Sequence, residues 1–176
     1  MRRMVLRVLV VVMLAEGAAL MAPASGRADE AANPAFVTRI FPGYRDWKLI
    51  SVAHEEGNLN DIRAILGNDT AIKAYRENKR PFPEGTVIAR ISWNYVPSEL
   101  NNKTFGRAQS FVAGSAPAWY LQFMVKDSKK YAATGGWGYG QFDKDGKPVE
   151  ESALKTCFPC HLKIEGRDFV FTDYAP

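Results

Sequence analysis

The clearest pattern in the chain is a strict alternation over Thr86–Tyr95. Val87, Ala89, Ile91, Trp93 and Tyr95 fall on one face of an extended segment, and Thr86, Ile88, Arg90, Ser92 and Asn94 on the other. Shorter apolar runs predict further strands over Trp47–Val52, Ala108–Val112, Ala118–Lys126 and Trp137–Phe142, and Asp61–Leu66 is a brief apolar run ended by Gly67. Asn68 or Asp69 is placed to cap a helix over Thr70–Asn78, with Ile72 and Tyr75 three apart on its dry side and Lys73, Arg76 and Glu77 on its wet side. Pro81 and Pro83 forbid its continuation. A short helix over Phe36–Ile40 is expected to stop at Pro42-Gly43, Pro97–Lys103 reads as a polar loop, and Asp143–Gly146 as a tight turn. These elements make an α+β fold, mainly an antiparallel sheet packed with a few helices and closed by a short C-terminal helix.

The first 28 residues break from this pattern. Arg2, Arg3 and Arg7 lead an apolar stretch from Val8 to Leu14 that resumes at Gly17, and small residues follow up to Ala28. This is the pattern of a secretory signal peptide over 1–28. A loose lead-in over 29–35 would then precede a single domain over 36–176, exported to the periplasm and free of the membrane after cleavage. The signal also changes the charge picture. The whole chain has 23 basic and 19 acidic residues. Without Arg2, Arg3, Arg7, Arg27 and Glu16 it keeps 19 and 18. The concentrated basic excess of a nucleic-acid binder is missing.

The candidate chemistry lies near the C-terminus, at Cys157-Phe158-Pro159-Cys160-His161. C-x-x-C-H is the attachment pattern of c-type haem. Two thiols can bond the two porphyrin vinyl groups, and the adjacent imidazole can take the iron. One helical turn over Cys157–His161 would turn all three groups towards one ring. Cys157 and Cys160 are the only cysteines, so none is left over. Three other readings compete. A thioredoxin-like pair needs more chain than the 16 residues after Cys160. A zinc site would need His54 as fourth ligand. A disulfide between residues three apart closes almost no loop.

An ordered series of segments accompanies this motif: W-K-L-I-S-V-A-H from Trp47, I-R-A-I-L-G-N from Ile62, F-P-E-G-T-V-I-A from Phe82, M-V-K-D-S-K-K-Y from Met124, G-G-W-G from Gly135 and D-F-V-F-T-D-Y from Asp168. Over Trp47–Tyr174 the chain resembles the cytochrome P-460 family, which includes the cytochromes c-prime-beta. The resemblance implies a largely antiparallel β domain, one covalent haem c, His161 as the proximal iron ligand, and frequent homodimers. Its named enzymes oxidise hydroxylamine. They carry a lysine cross-link to the porphyrin at the position of Arg90 and a carboxylate above the iron at the position of Gln122. A guanidinium is a poor nucleophile, and an amide is no general base. Arg90 and Gln122 are therefore expected at the cofactor without that reaction.

Electron transfer with a redox partner protein is the leading expectation. The alternatives are a haem oxidoreductase acting on hydroxylamine, nitric oxide or peroxide, and a nitric oxide-binding haem protein. Met124 and His54 are candidates for a sixth iron ligand. Their competing readings are a core methionine and an imidazole bonded at a strand end. Arg90 faces either a haem propionate or solvent. Phe111, Trp119, Phe123, Trp137 and Phe142 are expected in the core or around the haem. Lys126, Asp127, Lys129 and Lys130 form a charged turn, read as solvated or as an encounter patch for a redox partner.

Overall fold

A computed structural model describes residues 36–175. Six strands form one antiparallel sheet, β1 (Lys48–Glu55), β2 (Asp61–Gly67), β3 (Val87–Pro97), β4 (Phe111–Ala113), β5 (Leu121–Lys126) and β6 (Trp137–Phe142), in the order β1-β2-β3-β5-β6, with β4 paired to the far end of β3. The helices are α1 (Asp69–Arg76), α2 (Glu99–Phe105), α3 (Glu151–Leu154) and α4 (Cys157–His161). A 3-10 segment, Leu162–Arg167, continues from α4. The architecture is α+β, as the alternation and helix signals predict. The β1–β2 hairpin, rather than a helix, opens the sheet.

Alternation along β3 divides the molecule into two layers. Val87, Ala89 and Ile91 join Leu121, Phe123 and Phe142 in one apolar cluster, covered by Phe41, Tyr44 and Trp47. Ile88 faces the other way, into a second cluster with Ile50, Ile65, Ile72, Tyr75, Trp137, Tyr139 and Val170. Asn68 caps α1, accepting from the Ala71 amide at 3.0 Å. In the Asp143 turn the side chain accepts from the amides of Asp145 and Lys147, both at 2.9 Å.

Three expectations need correction. Residues Phe36–Ile40 form no helix; Phe36 bridges Tyr139 in parallel and the Val37 amide donates to the Tyr139 carbonyl at 2.7 Å. Backbone groups on the edge strand β6 are satisfied this way. Gly140 allows the approach, since a Cβ there would lie 2.7 Å from the Val37 carbonyl. The expected loop after Pro97 contains α2, which runs into Gly106 in left-handed geometry (φ 69°) and buries no residue. No apolar periodicity was there to announce it; Asn102 holds its exit by accepting from the amides of Gln109 and Ser110. Phe111 is exposed rather than in the core, stacked on Tyr95 with ring centres 4.5 Å apart.

A candidate haem site between the sheet and the C-terminal segment

The second layer encloses a cavity of about 760 Å³ between the sheet and the C-terminal segment. Its size lies within the roughly 300–1,000 Å³ of ordinary ligand and cofactor sites. One wall carries Cys157, Cys160 and His161 from α4; the sheet contributes Arg63, Ile65, Ile88, Arg90, Gln122, Met124 and Tyr139.

The expected helical turn is present, and both thiols are free. Burial raises the Cys157 pKa, keeping it a protonated thiol. The His161 Nδ1 lies 2.6 Å from the Phe169 carbonyl. A carbonyl only accepts, so Nδ1 carries the proton and donates. Burial lowers the imidazole pKa, so the ring is neutral and Nε2 keeps its lone pair. The rings of Tyr139 and Phe171 flank the imidazole, each with its centre 5.0 Å away. An imidazole with one nitrogen tied to a carbonyl and the other free is the usual arrangement of a metal-ligating histidine.

The sheet wall is polar where β2, β3 and β5 meet. Arg90 and Gln122 are direct cross-strand partners, and the Arg90 guanidinium donates to Gln122 Oε1 at 2.6 Å. Gln122 in turn donates to Gln141 at 2.7 Å. Beneath them lies Asp61, fully buried, which sequence reasoning did not single out. It accepts from Arg63 (2.8 and 2.5 Å), Arg90 (2.7 Å) and the Trp119 indole (3.0 Å). Arg63 also pairs with Glu55 at 2.5 Å. Burial, with the neighbouring Arg63 charge, brings the Arg90 pKa down to about 10 despite Asp61, so the group remains cationic at neutral pH. Arg90 therefore does not lie on a solvated face, and its buried Nε has no partner among the described residues. The signal for Asp61 was available only as an acidic residue opening an apolar strand.

The other sequence candidates separate. Met124 is on the cavity wall. His54 is not, because Ser51, Ala53 and Glu55 of β1 face the cavity and His54 points to the opposite side, stacked on Tyr95 with ring centres 3.9 Å apart. A zinc set using His54 is not assembled; among the described residues no three His, Cys, Asp or Glu side chains are grouped to hold a metal ion. Lys126 is not part of a solvated turn. It is 6 % exposed and pairs with Asp168 at 2.7 Å. Trp137, Phe123 and Phe142 are core residues, whereas Trp119 serves Asp61.

The residues present fit a haem. Two thiols and a neutral, oriented imidazole share one apolar cavity, and the Tyr139 hydroxyl, buried on its wall, has no hydrogen-bond partner among the described residues. A buried hydroxyl left alone is costly, and an acceptor brought in by a bound group would satisfy it. No curated protein matches the chain. The family model for cytochrome P460 matches residues 41–172, most of the sequence and all of the cavity's strands and helix. With that match over this fold and this cavity, the chain belongs to the cytochrome P460 family and is a haem-binding cytochrome.

Proposed function

We propose that the protein is an exported c-type cytochrome that carries one covalent haem and transfers electrons to or from a partner protein. The observation that carries this reading is the His161 imidazole, neutral and held at Nδ1, beside two unbridged thiols in one cavity. Each thiol would add across one porphyrin vinyl group. Sulfur bonds one carbon, the thiol hydrogen goes to the other, and nothing is lost. When bound, the haem supplies an iron that cycles between ferric and ferrous states.

The sheet wall supports a carrier over a hydroxylamine oxidase. Gln122 has no basic lone pair to take a proton, Arg90 is cationic, Asp61 is saturated by N–H donors, and Glu55 is paired with Arg63. General-base assistance is worth about 10² to 10⁴ in rate, so hydroxylamine turnover is expected to be low. Rapid oxidation by the unmodified protein would overturn the carrier reading.

A second reading has its own observation. The cavity is roomy, and Met124 is the only methionine on its wall, so an open sixth position would admit a small nitrogen or oxygen ligand. Optical and electron-paramagnetic spectra of purified protein separate the two. A six-coordinate low-spin iron supports the carrier; a five-coordinate high-spin iron moves the reading to ligand binding. Protein matured with c-haem machinery should keep its haem through acid-acetone extraction. The mass of the mature chain tests export, with cleavage after Ala28 or Ala24 as the expected result.

A further inference from the structure

The segment after α4 has an unusual backbone. Asp168 and Phe169, neither of them glycine, are successively left-handed at φ 52° and 62°. Side chains other than glycine rarely adopt this region, and two in a row need outside support. The support is visible. The Asp168 carboxylate is more than nine-tenths buried and accepts from three separate parts of the fold. These are the Phe82 amide at 2.7 Å, Lys126 Nζ on β5 at 2.7 Å and the Trp137 indole on β6 at 3.3 Å. Lys126 also donates to the Gly135 carbonyl at 3.2 Å and lies 5.0 Å from the centre of the Trp137 ring. The Phe169 ring packs so closely on Gly135 that a Cβ there would sit 2.3 Å from it. Asp168 and Phe169 are thus gripped on both sides, and the Phe169 carbonyl is aimed at His161 Nδ1.

We propose that Asp168 is a positioning residue for the iron ligand. Its carboxylate, anchored by Phe82, Lys126 and Trp137, holds the left-handed pair so that the Phe169 carbonyl accepts the His161 Nδ1 proton and sets the donor strength of Nε2. The inference rests on the reading of His161 as the iron's ligand. A strong bond from Nδ1–H makes Nε2 a better donor, and a better donor favours ferric over ferrous iron. Loosening the carbonyl then raises the reduction potential and weakens the iron–histidine bond. Replacing a residue that merely stabilises the fold would lower the unfolding midpoint and leave both quantities alone.

The experiment compares haem-loaded unmodified protein with Asp168→Asn. It measures the reduction potential, the iron–histidine stretching frequency of the ferrous form and the solvent exchange of the Nδ1 proton. A higher potential, a lower frequency and faster exchange are expected. Where Asp168→Asn does not accumulate because Lys126 is left as a lone buried cation, Lys126→Gln with Asp168→Asn removes both charges and decides the question. A folded variant with unmodified potential, frequency and exchange overturns the proposal. His161→Gly separates this failure from failure of the ligand reading. If it changes the iron's coordination while Asp168→Asn changes nothing, only the clamp is wrong. If it leaves coordination unchanged, the ligand reading falls and the clamp falls with it.

Discussion

The two walls of the cavity are built from different kinds of information. On the α4 wall, Cys157, Cys160 and His161 sit within five residues, and one helical turn suffices to bring them together. On the sheet wall, Asp61, Arg90 and Gln122 come from three strands and meet only through register, Arg90 lying opposite Ile65 on β2 and Gln122 on β5. The first wall is chemically open, with two free thiols and a free imidazole nitrogen. The second pairs its charges internally, Asp61 with Arg63 and Arg90 and Glu55 with Arg63, and leaves only the buried Arg90 Nε without a partner among these groups. On the proposed haem reading, the first wall can be short and local because the ligand completes its chemistry. The second joins charged groups carried by separate strands, which takes the long-range sheet.

Breaking the α4 wall should give the largest effect. Cys157→Ala with Cys160→Ala should abolish haem retention through acid-acetone extraction, read as loss of the porphyrin absorbance from the protein fraction. The sheet should still form, because Cys157 is only half-buried and Cys160 is exposed. Retention in the double variant would refute covalent attachment. Breaking the sheet wall should do the reverse. Asp61→Asn leaves Arg63 and Arg90 beside a neutral amide in a buried place. Removing one partner of a buried ion pair costs about 3–5 kcal/mol, to be measured by urea unfolding. Haem attachment should survive. A loss under 1 kcal/mol would mean that water reaches the cluster and that the wall is not closed.

The same contrast explains what the sequence revealed. The C-x-x-C-H turn, the alternation of β3, the Asn68 cap and the Asp143 turn are local, and each appears where the residues place it. Asp61 was missed because its importance comes from Arg63, Arg90 and Trp119, and the latter two lie 29 and 58 residues away. Lys126 was misread for the same reason. Beside Asp127, Lys129 and Lys130 it looks like a surface turn, but strand alternation turns it inward to Asp168, 42 residues on. His54 was left between two readings because the predicted strand ended at Val52; β1 runs on to Glu55, and its alternation turns His54 to the face away from the cavity.

A smaller effect is expected where the resemblance and the sheet wall meet. In Arg90→Lys a single ammonium replaces the planar fork that serves Asp61 and Gln122 together. One buried acceptor is left short of a donor, at a cost of about 1–3 kcal/mol. With Gln122→Glu added, the variant carries the two groups that the hydroxylamine-oxidising relatives are expected to place there. A third covalent link in the mass of the haem peptide would support the placement of Arg90 at the cross-linking position. A peptide mass that fits two thioethers only would count against it.

The smallest expected effect tests whether local and long-range information can be separated in one side chain. Asn68 Oδ1 accepts from the Ala71 amide, which caps α1, and from the Val87 amide at 3.1 Å, which begins β3. Its Nδ2 donates to the Gly85 carbonyl at 2.8 Å. The cap was legible in sequence; the bonds to Gly85 and Val87 were not. Asn68→Ala loses all three, and capping alone is worth about 0.5–2 kcal/mol. Asn68→Asp keeps both acceptor bonds and loses only the donor to Gly85, and its charge sits favourably at the start of the helix. The expected order of stability is therefore Asn68, then Asn68→Asp, then Asn68→Ala, with the haem spectrum unchanged throughout. If alanine and aspartate cost the same, the bond to Gly85 carries the effect and the cap contributes nothing measurable. If both equal the unmodified protein, water replaces all three bonds, and this end of β2 is more open than the Asp61 cluster at its other end.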